Sequence, residues 1–353
     1  MTMTPLGVPK LPGPTGEVPT RGPLLDTYGR AATDLRVSLT DRCNLRCRYC
    51  MPAAGLDWLP GGQLLRPDEL ARLMRIAVTR LGVTSVRFTG GEPLLRKGFM
   101  ELVERLSRHL DSGALDELTL TTNGTRLAEY AADLARFGVR RVNVSLDTLD
   151  SDTFRRLTRG GEIARVMAGL EAADSAGLKV KINTVALARD NRAEIPDLMR
   201  FAHARGFDLV LIETMPMGEI DEDRTDQFLS LRDVRRDLAA AWTLTWLDDT
   251  TLGPARYSRV EETGGRIGFI SPLSHTFCDS CNRVRLTCTG TLHTCLGRED
   301  ASDLRSLLRA STDDAPVRAA IRAAIAAKPL AHDFKIGPGA APAVRRYMST
   351  TGG

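Results

Sequence analysis

The stretch "LRVSLTDRCNLRCRYC" (residues 35–50) joins two signals. "LRVSLT" (35–40) alternates apolar and polar residues, as a β-strand does. Directly after it, Cys43, Cys47 and Cys50 are spaced C-x3-C-x2-C. A structural zinc site is closed by four protein ligands. A cubane iron–sulfur cluster has four irons and usually four thiolates. Three thiols on one tight loop would leave one iron open to an outside ligand. A zinc loop completed by a distant histidine is the other reading the cysteines alone allow.

The strand at 35–40 begins a rhythm. Helical "RPDELARLMRIAVTRLG" (66–82), with Pro67 near its start, leads to strand "SVRFTG" (85–90). Then come helix 97–110, strand "ELTLTTNG" (117–124), helix 126–138, strand "RRVNVSLD" (140–147) and a helical stretch to about 177. Strand "LKVKINTVAL" (178–187), helix 192–206 and strand "DLVLIETMP" (208–216) complete six β units. Strands alternating with helices imply a parallel sheet with right-handed connections. The expected fold is α/β, a partial (β/α)6 TIM-like barrel. Chemistry in such folds gathers at the C-terminal ends of strands. The cysteine loop, "TGGEP" (89–93), "TTNG", "SLD" (145–147) and "ETMPMG" (213–218) all follow strands there.

After 218 the rhythm breaks. A short helix (230–241), strand-like pieces at 242–249 and 265–272, and helices at 302–311 and 315–328 are expected. Between them lies "FCDSCNRVRLTCTGTLHTCLG" (277–297), where Cys278, Cys281 and Cys295 are spaced C-x2-C-x13-C. The domains read as a disordered leader (1–25), a barrel (26–218) and a C-terminal extension (219–353).

Composition sets bounds. The 353 residues are 42% hydrophobic and 26% charged, with 48 basic and 44 acidic residues for a net +4. These are values of a soluble globular protein, and the charge gives no argument for nucleic acid. No apolar stretch is long enough to span a membrane, and the first residues lack a signal-peptide core. The expected location is cytoplasmic. Seven cysteines in two clusters look like metal ligands or redox groups, not a disulfide framework.

Cys43, Cys47, Cys50, the aromatic Tyr49 and the "GGEP" at 90–93 resemble the radical S-adenosylmethionine superfamily. With Asn282, Arg283 and Arg285 beside the second cysteine set, and with the terminal Gly352–Gly353 pair, the chain resembles the GTP 3′,8-cyclases of molybdenum-cofactor biosynthesis from about residue 26 to its end. That resemblance implies two 4Fe-4S clusters, one on Cys43, Cys47 and Cys50, the other on Cys278, Cys281 and Cys295, at opposite mouths of the barrel. It implies S-adenosylmethionine on the first, contacted by Tyr49, Gly91, Ser145 and Met215. It implies GTP on the second, bound by Arg36, Arg87, Thr122, Lys181, Arg283 and Arg285, with Arg283, Arg285, Gly352 and Gly353 in catalytic roles.

The implied reaction removes the ribose C3′ hydrogen, joins C3′ to C8 and ends at 3′,8-cyclo-7,8-dihydro-GTP. The implied partners are a one-electron donor such as flavodoxin or ferredoxin and a downstream cyclic pyranopterin monophosphate synthase; a homodimer is compatible. One departure stands out. "CTG" (288–290) replaces a small residue followed by Asp-Gly, so Cys288 is an additional thiol that would complete C-x2-C-x6-C-x6-C. It reads as a bystander, since buried free cysteine behaves as a small apolar residue. His275 and His293 read as loop packing.

Overall fold

The computed structural model describes residues 22–248 and 253–352. The expected leader reaches residue 25, yet Leu24 is buried and its N–H donates to the Leu81 carbonyl, so packing begins inside that span. Residues 1–21 and Gly353 lie outside the described residues.

All six expected β units are present. The barrel strands are β1 (Asp34–Ser38), β2 (Ser85–Thr89), β3 (Glu117–Thr122), β4 (Arg141–Ser145), β5 (Lys179–Ala186) and β6 (Asp208–Glu213). The connecting helices are α1 (Pro67–Leu81), α2 (Phe99–Asp111), α3 (Ala131–Arg136), α4 (Ser151–Thr158), α5 (Ile163–Ser175) and α6 (Ile195–His203). In α1 the buried residues Leu70, Leu73, Met74, Ala77 and Leu81 recur at helical spacing and face the sheet. Truncating one such leucine to alanine costs about 2–5 kcal/mol. Gly82, in the left-handed conformation (φ 76°), ends that helix.

The stretch expected as one helix up to 177 is two. Arg159 (φ 53°) and Gly160 (φ 112°) are left-handed, and a Cβ on Gly161 would meet Thr158 Oγ1 at 2.6 Å and Leu45 Cδ2 at 2.8 Å. The break lets Leu45, in the first cysteine loop, pack against the end of α4.

The C-terminal residues extend the same sheet at both edges. After α7 (Leu231–Ala239) come β7 (Leu244–Trp246), β8 (Arg256–Val260) and β9 (Arg266–Ile270); β9 pairs parallel with β6, and the other two follow antiparallel. At the opposite edge, β10 (Arg283–Leu286) pairs parallel with β1, followed antiparallel by β11 (Thr291–His293) and β12 (Ala301–Asp303). The order is β12-β11-β10-β1-β2-β3-β4-β5-β6-β9-β8-β7. The strands of the second cysteine set were not legible, because "RVRL" and "TLH" are shorter than any periodicity can reveal. Helices α8 (Arg305–Ala310), α9 (Ala315–Ala326) and α10 (Met348–Thr351) complete the fold. Among the described residues no helix is long and apolar enough to cross a membrane.

Candidate active site

The first cysteine loop leaves β1 at the C-terminal ends of the parallel strands. Arg46 and Arg48 N–H groups donate to the Thr158 and Leu157 carbonyls at the end of α4. From β2, Gly91 and Glu92 N–H groups donate to the Thr40 and Arg42 carbonyls, each at 2.8 Å. A Cβ on Gly91 would sit 2.2 Å from the Arg42 carbonyl oxygen, and one on Gly90 (φ 138°) 2.5 Å from that of Thr40. The steric need of these glycines is set against the cysteine loop itself. Glu92 is fully buried and accepts from Leu94 N, Asn123 N and the Thr122 hydroxyl at 2.7–3.0 Å. Asn123 Nδ2 in turn faces Cys43 Sγ at 3.8 Å.

Burial pushes the Cys43 thiol up to about 11 and Cys50 up to about 12. Cys47 is raised well above its ordinary value by burial and then by Cys50 and Asp147. Three interacting soft donors on a rigid loop fit an iron–sulfur cluster, whose irons would supply the positive charge these thiolates lack. Among the described residues no three His, Cys, Asp or Glu side chains converge on the position of a single ion. Tyr49 donates its hydroxyl proton to Asp147 Oδ2 (2.6 Å), while Asp147 Oδ1 accepts from Val185 N (2.8 Å). Burial pushes the Asp147 carboxyl up to about 6. Gly91 follows β2 and Ser145 ends β4, with β3 between them, and Met215 follows β6.

The second cysteine set lies at the opposite end of the strands. Cys278 and Cys281 precede β10, and Cys295 follows the antiparallel β11. The three act on one another electrostatically. Each carbonyl is held by a cation: Arg30 Nη1 donates to Cys278 O (2.6 Å), Lys328 Nζ to Cys281 O (2.7 Å) and Arg346 Nη2 to Cys295 O (3.1 Å). Burial pushes the Cys281 thiol up, but Arg283 and Lys328 outweigh it and hold the group down at about 6. This donor set also fits a thiolate-bound cluster.

Cys288 is not part of it. It follows the C-terminal end of β10, is 1% exposed, faces Asp41 and Arg96, and its carbonyl accepts from Leu65 N at 2.8 Å. His275 Nε2 lies 3.0 Å from Arg256 Nη1, and His293 Nδ1 lies 3.2 Å from the Asp300 carbonyl.

A cavity of about 470 Å³ opens from the second cysteine set into the barrel. Arg36, Arg87, Lys181, Arg283 and Arg285 line it as expected, as does Met215; Tyr49, Gly91 and Ser145 do not. Among the described residues, eight cationic side chains and three carboxylates line it. Burial and then Arg141 and Arg87 push Lys181 down to about 7. Burial and Arg283 push Arg285 down to about 10. The cavity is therefore short of negative charge.

Thr122 is a correction. Strand alternation turns it away from the cavity to Glu92, and its neighbour Thr121 lines the cavity instead. Arg30, Lys328, Arg346 and Asn143 were missed; none belongs to a local motif.

The chain end enters the barrel. Gly218 N donates to Val344 O, and the Ser349 N–H reaches the Cys50 thiol. Gly352 is buried at φ 73°, and a Cβ there would lie 2.2 Å from Thr89 Cγ2. Its carbonyl accepts from Arg285 Nη1 at 2.5 Å. Gly352 thus links a first-rim strand end to a cavity arginine.

Comparison with known proteins places this geometry. Residues 37–202 match the Radical SAM superfamily, and residues 207–334 match the Molybdenum Cofactor Synthesis C family. The chain is 64% identical over 335 residues to the GTP 3′,8-cyclase of Caulobacter vibrioides, covering 95% of each. It is 60% identical over 332 residues to that of Agrobacterium fabrum, covering 94% of this chain and 95% of the other. Among solved structures, Streptococcus suis SuiB bound to S-adenosylmethionine shares the fold, with a TM-score of 0.58 at 17% identity over 83% of this chain and 68% of that one.

Proposed function

Because the chain belongs to the GTP 3′,8-cyclase family of radical S-adenosylmethionine enzymes, which carry out the first step of molybdenum-cofactor synthesis, we propose how its two cysteine sets divide that reaction. The observation that carries the proposal is one cation-rich cavity with a thiol triad at one end and a second triad beyond the inserted tail at the other.

Cys43, Cys47 and Cys50 would hold a 4Fe-4S cluster with S-adenosylmethionine against Tyr49, Gly91, Ser145 and Met215. Cys278, Cys281 and Cys295 would hold a second 4Fe-4S cluster near the purine. When bound, the first cluster and S-adenosylmethionine supply the one-electron and radical chemistry. The chain's own contribution is binding, orientation and exclusion of water. Arg36, Arg87, Lys181, Arg283 and Arg285 would take the triphosphate and ribose, guanidiniums matching phosphate oxygens in bidentate fashion and lysine adding a point charge. Thr121, in place of Thr122, joins them. Gly352, held by Arg285, would set the ribose C3′ side of the cavity, because a residue with a side chain could not stand against Thr89 there. Gly353 would share this role. Fixed geometry of this kind supplies much of the rate in a reaction between bound groups.

Residues 26–218 thus carry the first set and 219–353 the second. A flavodoxin or ferredoxin would serve as donor, and a cyclic pyranopterin monophosphate synthase would take the product.

GTP deuterated at C3′ tests the orientation. The label should appear in 5′-deoxyadenosine, and ATP should not replace GTP. Product formation with all deuterium retained on the nucleotide would overturn C3′ as the reacting position.

A further inference from the structure

One buried cation is not used by the chemistry proposed so far. Lys328, just beyond α9, is 4% exposed. Its Nζ has three acceptors: Cys281 O at 2.7 Å, Arg283 O at 3.0 Å and Cys281 Sγ at 3.7 Å. An ammonium group has three N–H donors and no acceptor, so these three account for its full capacity; a neutral amine would leave one unmet. The carboxylate in reach, Asp26, is already engaged by Arg30 Nε at 2.6 Å. Arg30 also anchors the two residues that follow the lysine, donating to the Pro329 and Leu330 carbonyls at 2.7 and 2.8 Å, and donates to Cys278 O. Lys328 is therefore held from behind, with its charge nearest the Cys281 sulfur and also acting on Cys295.

At the first cysteine loop a cation, Arg224, acts on Cys50, but its guanidinium donates to the Met217 and Gly218 carbonyls. The side-chain donor at Cys43 Sγ is the neutral amide of Asn123, and carboxylates of Glu92 and Asp147 face that triad.

We propose that Lys328 is a positioning residue for the second cluster: it holds the Cys281–Arg283 turn in register and places a positive charge beside the Cys281 sulfur, raising that cluster's reduction potential. A reduced cluster carries one more negative charge than the oxidised one, so a nearby cation and a hydrogen bond to sulfur stabilise it selectively. The inference rests on the reading that Cys278, Cys281 and Cys295 hold a cluster.

The test uses the full chain with Cys43, Cys47 and Cys50 all changed to Ala, so that only the second cluster is reconstituted. Its potential is followed by electron paramagnetic resonance during a redox titration. Lys328→Met should reduce at a more negative potential at equal iron per chain, and Lys328→Arg should restore most of the shift. Should Lys328→Met fail to hold iron, Lys328→Gln and Lys328→Arg are compared, since both keep N–H donors and only one keeps charge; Gln should be the more negative. Equal potentials for Lys, Met, Gln and Arg, or for Gln and Arg where Met holds no iron, would overturn the role of Lys328 while leaving the second cluster in place. A Lys328-containing parent with no cluster at all would instead sink the reading beneath it.

Discussion

The two cysteine triads are built from the same atoms and differ in almost everything around them. The first occupies eight consecutive residues, and burial keeps its thiols at about 11 and 12 where a value is fixed, with Glu92 and Asp147 adding negative charge. The second gathers two segments of the extension, and Arg30 from before β1 and Lys328 and Arg346 from beyond α9 reach it. Its Cys281 thiol is held at about 6. The first site offers few cations, Arg224 at Cys50 against the carboxylates of Glu92 and Asp147, and would suit the more reducing cluster. The second collects cations, and its cavity suits a polyphosphate. The contrast shows that three thiols do not define a redox site by themselves; the neighbouring charge decides what each can hold.

The largest effect expected short of removing a ligand is at the tail, which touches both regions. Gly352→Val would place a side chain into Thr89 and displace the Arg285 contact. Formation of cyclised nucleotide should fall by on the order of 100-fold or more, with iron content and fold unchanged. Full activity would mean the tail does not join the two sites.

The cationic side is tested next by pH. Lys181 sits at about 7 in the free protein, below the ordinary lysine value, and a bound triphosphate would raise it. Binding should then take up a proton, and GTP affinity should be greatest below pH 7 and fall as pH rises through it. Lys181→Met should flatten that dependence and weaken binding by about tenfold to a hundredfold, as loss of a charged hydrogen bond does. Calorimetry in buffers of different ionisation heat reads the proton directly.

A smaller effect separates first-rim structure from cavity function. Thr122→Ala removes a donor from buried Glu92 and should cost about 1–3 kcal/mol of stability, with GTP affinity unchanged. Thr121→Ala should do the reverse, raising KM for GTP at unaltered thermal stability. The smallest effect is at Cys288, where replacement by Ala should leave roughly eight irons per reconstituted chain; loss of half would make it a ligand.

Much of this was legible in advance. The barrel strands announced themselves by alternation, and the C-x3-C-x2-C loop is compact enough for spacing alone to expose it. Gly352 was reachable through resemblance to a family, although its left-handed backbone and its approach to Thr89 were not. What stayed hidden depends on chain segments meeting in space. The threonine pair at 121–122 differs only in which face of β3 each residue takes, and a one-residue step reverses that face. Arg30 adjoins a leader-like segment, and Lys328 follows an alanine-rich helix; neither position carries a signal until β10 pairs with β1 and brings the second triad between them.

The division of labour between the two triads is tested most directly by measuring 5′-deoxyadenosine and cyclised nucleotide together in two variants. Cys43→Ala should form neither. Cys281→Ala should keep some reductive cleavage of S-adenosylmethionine and form 5′-deoxyadenosine, yet yield no cyclised nucleotide, because the purine is no longer positioned. Continued S-adenosylmethionine cleavage by Cys43→Ala, or normal cyclisation by Cys281→Ala, would contradict the assignment of the two sites.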